Sequence, residues 1–142
     1  MTPALHHVAL SVADLERAVH FWCELVGLAP FTAVLDLGDP AIARVMGLDR
    51  VAGRMQVVGS AALALELFEF HHPPRGPAPA NRSLADPGLS HFGIAVDDLD
   101  ALCARLAAAG VPLLGPVTRI GGHRAVYARD PEGNSFELLA RA

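Results

Sequence analysis

Along its first dozen residues the chain alternates. Val8, Leu10 and Val12 fall on one side of an extended backbone and His7, Ala9 and Ser11 on the other, which is the period of a β-strand. The pattern then changes. Asp14 is placed to cap a helix, Val19, Trp22 and Val26 form an apolar stripe, and Gly27 ends it. Ala61 to Phe70 reads as a strand that closes the first half, and Asp39 to Gly47, inside an insertion of roughly Asp36 to Arg54, reads as a short capped helix. The segment from His71 to Gly88 is rich in Pro and Gly and reads as a connector.

After the connector the pattern starts again. Leu89 to Leu99 repeats Leu5 to Leu15, with His7 and His91, Val12 and Val96, and Asp14 and Asp98 each 84 positions apart. Asp98 caps, Leu99, Leu102 and Leu106 make the stripe, and Gly110 stops it. Val117 to Arg129 and Ser135 to Leu139 read as the closing strands, joined by a turn over Asp130-Pro131-Glu132-Gly133-Asn134. The chain is thus expected to be a single domain over residues 1–142, of class α+β, with module one at about 1–70, a connector at about 71–88 and module two at about 89–142.

Four polar residues interrupt these apolar strands. Each half offers one His at its first strand, His7 and His91, and one Glu at its last, Glu66 and Glu137. Alternation puts all four on the side opposite the aliphatic positions, beside small residues such as Ala9, Gly93 and Ala95. A carboxylate in an apolar strand is costly unless it is paired or bound to metal. Two imidazoles and two carboxylates neutralise a divalent cation, and mixed N/O donors suit Zn, Ni, Co, Fe or Mn in an open geometry. Tyr127, facing Glu137 across the turn, and His123 on the same face are expected to line a pocket, and Phe68 to supply an apolar wall. Arg124 is expected to point the other way, and His6 to be no ligand.

Composition narrows the classes. The 142 residues are 52 % hydrophobic and 18 % charged, which excludes intrinsic disorder. A net charge of −4 argues against nucleic acid as the main partner. No apolar run is long enough to span a bilayer, and no secretory leader is visible, so a cytoplasmic location is expected. Cys23 and Cys103 both fall in helical patterns and read as reduced thiols.

The segments LHHVALSVADLERAVHFW, LALELFEF, LSHFGIAVDDLDAL and YARDPEGNSFEL resemble the vicinal oxygen chelate superfamily, which holds glyoxalase I, methylmalonyl-CoA epimerase, extradiol dioxygenases and the fosfomycin- and bleomycin-resistance proteins. The resemblance covers nearly the whole chain. It implies tandem βαβββ modules whose sheets form a cup around one metal, with His7, Glu66, His91 and Glu137 at the four metal positions of the glyoxalase type. It implies an enzyme of the lyase or isomerase kind, glyoxalase- or epimerase-like, whose small substrate chelates the divalent ion through adjacent oxygens, with Glu66 and Glu137 as proton carriers and a homodimer as the assembly. Methylmalonyl-CoA epimerases usually carry Gln where Glu66 stands. The alternatives are a protein that binds an antibiotic or metabolite in the same cup, and a dioxygenase-like enzyme of secondary metabolism.

Overall fold

The computed structural model describes residues 2–77 and 82–142, and the chain divides into one unit ending at Pro77 and a second beginning at Ala78. Among the described residues no helix is long and apolar enough to cross a membrane.

Unit one opens with strand β1 (Val8–Ser11) and helix α1 (Leu15–His20). Asp14 caps α1 by accepting from the Arg17 N–H at 2.9 Å. The helix runs on into a π-helical turn, Phe21–Val26, that ends at Gly27, whose φ of 100° is a left-handed conformation few other residues tolerate. Strands β2 (Ala29–Pro30) and β3 (Leu35–Asp36) and helix α2 (Pro40–Met46) follow, then the long antiparallel pair β4 (Ala52–Ser60) and β5 (Leu63–His72). The sheet order is β1-β5-β4-β2, with β3 also on β4. The first strand therefore lies parallel to the last, with Ala9 beside Glu66.

Packing follows the alternation. Leu65 and Leu67 point to the side where α1 packs and are fully buried with Trp22, Leu15, Val12 and Val58. Burying each such side chain contributes about 1.5–3 kcal/mol relative to leaving it in water. The insertion is covered as well: Leu37, Ala43 and Val51 form a second cluster with Phe68, which Ile42, Met55 and Phe70 flank.

Unit two repeats the plan with fewer parts. Strand β6 (Phe92–Ala95), helix α3 (Leu99–Ala108) and strands β7 (Thr118–Ile120), β8 (His123–Arg129) and β9 (Ser135–Arg141) give the order β6-β9-β8-β7. Asp98 caps α3 through the Ala101 N–H, and β6 lies parallel to β9 with Gly93 beside Glu137. Leu99, Leu106, Phe136 and Leu138 are its most buried large side chains. Unit one is a sheet with α1 on one face and the α2 insertion over part of the other, and unit two is a sheet with α3 on one face, the α+β class expected from the sequence.

Several boundaries differ from the sequence reading. The strand expected over Val117 to Arg129 is two strands, because the Gly121-Gly122 turn folds β7 back on β8. Strand β4, inside and beyond the insertion, has no clean alternation to announce it. Strand β5 continues to His72, past the end near residue 70, because Ala52 pairs with His72 beyond a bulge. The expected connector of 71–88 includes residues 78–81, which lie outside the described residues.

Candidate metal centre

Within unit one, His7 stands just before β1 and Glu66 lies on the neighbouring β5. The His7 Nε2 is 3.4 Å from a Glu66 carboxylate oxygen. Within unit two, His91 stands just before β6 and Glu137 lies on β9, with 3.7 Å between Nε2 and carboxylate. Parallel pairing of first and last strands is what brings each His to its Glu. Both separations are longer than a good hydrogen bond. The first lies within, and the second just beyond, the roughly 3.0–3.5 Å between neighbouring donors when each lies about 2.0–2.2 Å from one shared ion.

The imidazoles are also oriented alike. The His91 Nδ1 sits 2.9 Å from the Ser90 hydroxyl, and the His7 Nδ1 sits 2.9 Å from Nδ1 of His6. Each ring therefore has its Nδ1 engaged and its Nε2 turned toward the carboxylate; in the tautomer in which Nδ1 is the donor, the Nε2 lone pair is left for a metal. Glu66 and Glu137 side chains are 23 % and 17 % exposed, so each is accessible without being freely solvated. The donors of each pair, one imidazole nitrogen and one carboxylate, are of the kinds that suit a divalent cation. Among the described residues no group of three or more His, Cys, Asp or Glu is gathered at one point, so neither pair is a complete site by itself.

Unit two adds a third group. Tyr127 lies opposite Glu137 in the β8–β9 register, and its hydroxyl is 3.3 Å from the His91 Nε2. The two rings meet edge to face with centroids 4.9 Å apart. Burial, and secondarily the Glu137 charge, push the Tyr127 phenol above its ordinary pKa, so it remains a hydrogen-bond donor at neutral pH. Gly93 leaves room on this face. A Cβ there would come within 2.9 Å of a Leu139 methyl and 3.7 Å of a Glu137 oxygen.

The other sequence candidates are placed as follows. His123 opens β8 and is exposed, on the rim of a cavity of about 560 Å³ in unit two. Phe68 is 9 % exposed and stacks on Phe70 within the cluster under α2, so its surroundings are those of a packing residue. Arg124 does point away, pairing with Asp100 on α3. Cys23 and Cys103 are free thiols whose pKa values burial raises.

Sequence reasoning missed Glu69. This carboxylate is on the helix side of β5. It accepts from the Leu15 N–H at 2.8 Å and from Arg54 at 2.9 Å, and it contacts His71 at 2.8 Å. Arg54 also binds Glu16. Arg54 foremost, then His71 and the Leu15 N–H, hold Glu69 down at about 2 against the pull of burial. The available signal was parity: three residues from Glu66, it must use the opposite face. Asp130 is the other buried carboxylate. It anchors the β8–β9 turn by accepting from the Glu132 and Asn134 N–H groups and the Asn134 amide, and burial raises its pKa against those bonds.

A family model described as the glyoxalase/bleomycin resistance protein/dioxygenase superfamily matches residues 4–138, a span that holds both His–Glu pairs. The chain belongs to this superfamily. Within it, the chain is 37 % identical over 146 aligned positions to a protein of an Actinomyces species named 2-epi-5-epi-valiolone epimerase, covering 96 % of this chain and 78 % of that one. It is 28 % identical to the uncharacterised protein YaeR of Escherichia coli K12, over 94 % of this chain and 93 % of that one. Among solved structures, a glyoxalase family protein of Bacillus cereus has a TM-score of 0.90 at 23 % identity, covering 99 % of this chain and 95 % of that one. The fosfomycin resistance protein FosX of Listeria monocytogenes, solved with Mn(II) and sulfate, has a TM-score of 0.66 at 21 % identity, over 100 % and 95 %. At those identities the two structures share the superfamily fold with this chain.

Proposed function

We propose that the chain is a divalent-metal-dependent isomerase or lyase of the epimerase kind, acting on a small substrate with two adjacent oxygens. The observation that carries this reading is the repeated pair of a histidine Nε2 facing a carboxylate at 3.4 and 3.7 Å, one in each module. His7, Glu66, His91 and Glu137 are the residues that would hold the ion, and the site needs both pairs. The name of the Actinomyces relative supports epimerase chemistry, and the Mn(II) in FosX supports a divalent ion; Zn, Ni, Co, Fe and Mn all suit the donor set.

Bound there, a divalent ion supplies Lewis acidity toward a substrate carbonyl. The residues do the remainder. Epimerisation next to a carbonyl removes a proton from carbon and returns one to the opposite face, so substrate and product are isomers. Glu66 and Glu137 are the carboxylates on this face with the access to carry that proton. Tyr127 donates a hydrogen bond on the same face and limits how the His91 ring can turn. The chain is proposed to act as a homodimer on a small-molecule substrate.

The test starts with metal-free protein, adds each ion in turn, and follows deuterium uptake from solvent into 2-epi-5-epi-valiolone. The expected result is exchange that depends on an added ion. Protein that binds none of the five ions would overturn the reading. Tight binding of the ketone with no exchange would instead indicate a sequestering protein, the alternative that the small residues Ala9, Gly93 and Ala95 favour.

A further inference from the structure

The cavity of about 560 Å³ in module two lies where β6 and β9 finish and β8 begins. Register fixes which face it continues. Glu137, Leu139 and Arg141 alternate along β9, and opposite them on β8 stand Tyr127, Ala125 and His123. The cavity therefore extends the face that carries His91, Glu137 and Tyr127. Ala95 and Leu139 supply apolar lining, and Asp97, His123 and Arg141 supply polar groups. Asp97 and Arg141 carry opposite charges, yet among the described residues neither forms an ion pair or a side-chain hydrogen bond. Their hydrogen-bonding capacity is open.

The internal repeat acts as a control on what the fold requires. Module one has a cavity of about 270 Å³ at the corresponding strand ends, lined by Ser11, Val12 and Phe70 and by Leu48, Pro73 and Arg75 among others. By the offset of 84 positions between the first strands, Ala13 stands where module two has Asp97, and by the offset of 71 positions that relates Glu66 to Glu137, Phe70 stands where it has Arg141. In module one this strand end carries an alanine and an aromatic ring, the ring packed beside the α2 insertion. Module two has no such insertion, and the same positions carry an exposed pair of opposite charges.

We propose that this cavity is a recognition subsite for a polyhydroxylated ring without net charge, of the cyclitol or sugar class. Such a ring offers C–H groups to Ala95 and Leu139 and hydroxyls to the rim. Asp97 accepts hydroxyl hydrogens, Arg141 donates to hydroxyl oxygens, and His123 does either according to its tautomer. The two charges sum to zero, so a simple anion drawn to Arg141 is opposed by Asp97. A few convergent polar groups around an apolar lining is the general form of a small-molecule site, and the volume is in the usual range. The proposal rests on the preceding section in taking the Glu137 face as the reacting side, and its ligand class includes the ring ketone used there as the test substrate.

The experiment titrates the full chain with myo-inositol and with D-glucose, read by saturation-transfer NMR. It uses the wild type, Asp97→Ala, Arg141→Ala and, as a control outside the cavity, Arg119→Ala, each first shown to unfold at the wild-type temperature. The expected result is saturable binding of at least one polyol, weakened roughly tenfold or more in D97A and R141A and unchanged in R119A. No saturable binding of either polyol overturns the proposal. So does displacement of the polyol by inorganic phosphate or glycine at lower concentration than by the polyol itself, which would make the subsite one for anions or zwitterions. Repeating the titration with and without Mn(II) separates the two readings. Polyol binding by a chain that takes up no metal removes the metal reading and leaves the subsite, and metal uptake with no polyol binding does the reverse.

Discussion

Glu66 and Glu69 lie three residues apart on β5, so the alternation of the strand sends one carboxylate to each face. Glu69, held at about 2 by Arg54 and its other partners, stabilises the fold only while ionised. Its folded pKa is below its unfolded value of about 4.5, so the contribution is complete above that value and is lost as pH falls toward about 2. Glu69→Gln is expected to cost on the order of 2–3 kcal/mol at neutral pH and to flatten the loss of stability between those two values. Urea midpoints measured across that window check it, and parallel profiles for variant and wild type would refute it. On the other face, Glu66→Ala and Glu137→Ala are each expected to weaken metal binding on the order of 100-fold. Tyr127→Phe keeps every proposed ligand, so it is expected to retain metal while losing turnover by roughly tenfold or more. Metal content measured beside solvent exchange distinguishes these outcomes; a Tyr127→Phe chain that loses its metal would make Tyr127 a support of the site and not a participant.

Strand β4 depends on one conformation at its start. Gly53 sits at the bulge with φ of 151°, and a Cβ there would fall 2.1 Å from the Glu69 carbonyl oxygen. Gly53→Ala is therefore expected to destabilise unit one by roughly 1–3 kcal/mol, read as a lower unfolding midpoint, with a wild-type midpoint as the contrary result. This strand also shows where the sequence stops being legible. β1, β5, β6 and β9 announce themselves by alternation, and α1 and α3 by an Asp cap before an apolar stripe. β4 contains Gly53 and Gly59 and carries Arg54 and Gln56, so its period is blurred. β2 and β3 are two residues each, too short for any period, and exist because β4 offers them partners. The four His and Glu candidates were readable because the repeat presents them twice. Glu69 was not, since its partner Arg54 is assigned only by the β4–β5 register. Phe68 illustrates the same limit: parity puts it on the Glu66 face, but only the folded insertion supplies the cluster that covers it.

For the whole molecule, the duplication divides the proposed site into two incomplete halves. Each module brings one imidazole and one carboxylate, so a single ion per chain, and not one per module, is the expected stoichiometry. Replacing His7 and Glu66 together is expected to abolish uptake as fully as replacing His91 and Glu137. Elemental analysis of the two double variants checks this, and half occupancy in each would show independent sites. Exposed apolar side chains, including Val45 at 85 %, Leu89 at 66 % and Ile120 at 65 %, leave surface that self-association would cover. Light scattering is expected to give a dimer mass, and a monomer at tens of micromolar would refute it.

In both modules the strand made first lies parallel to the strand made last: Val8 beside Leu65 and Phe92 beside Phe136. On the ribosome this ordering becomes a delay. At roughly 5–20 residues per second, β1 is synthesised roughly 3–11 seconds before its neighbour exists. During that interval Leu10 and Val12 have no sheet to join, and an unpaired apolar strand is the part of a nascent chain most prone to wrong partners. Module one becomes able to close once β5 has emerged, and module two then repeats the wait from β6 to β9. The yield of folded chain in a cell is thus expected to depend on elongation speed and on chaperone cover in two separate windows, one for each copy of the repeat.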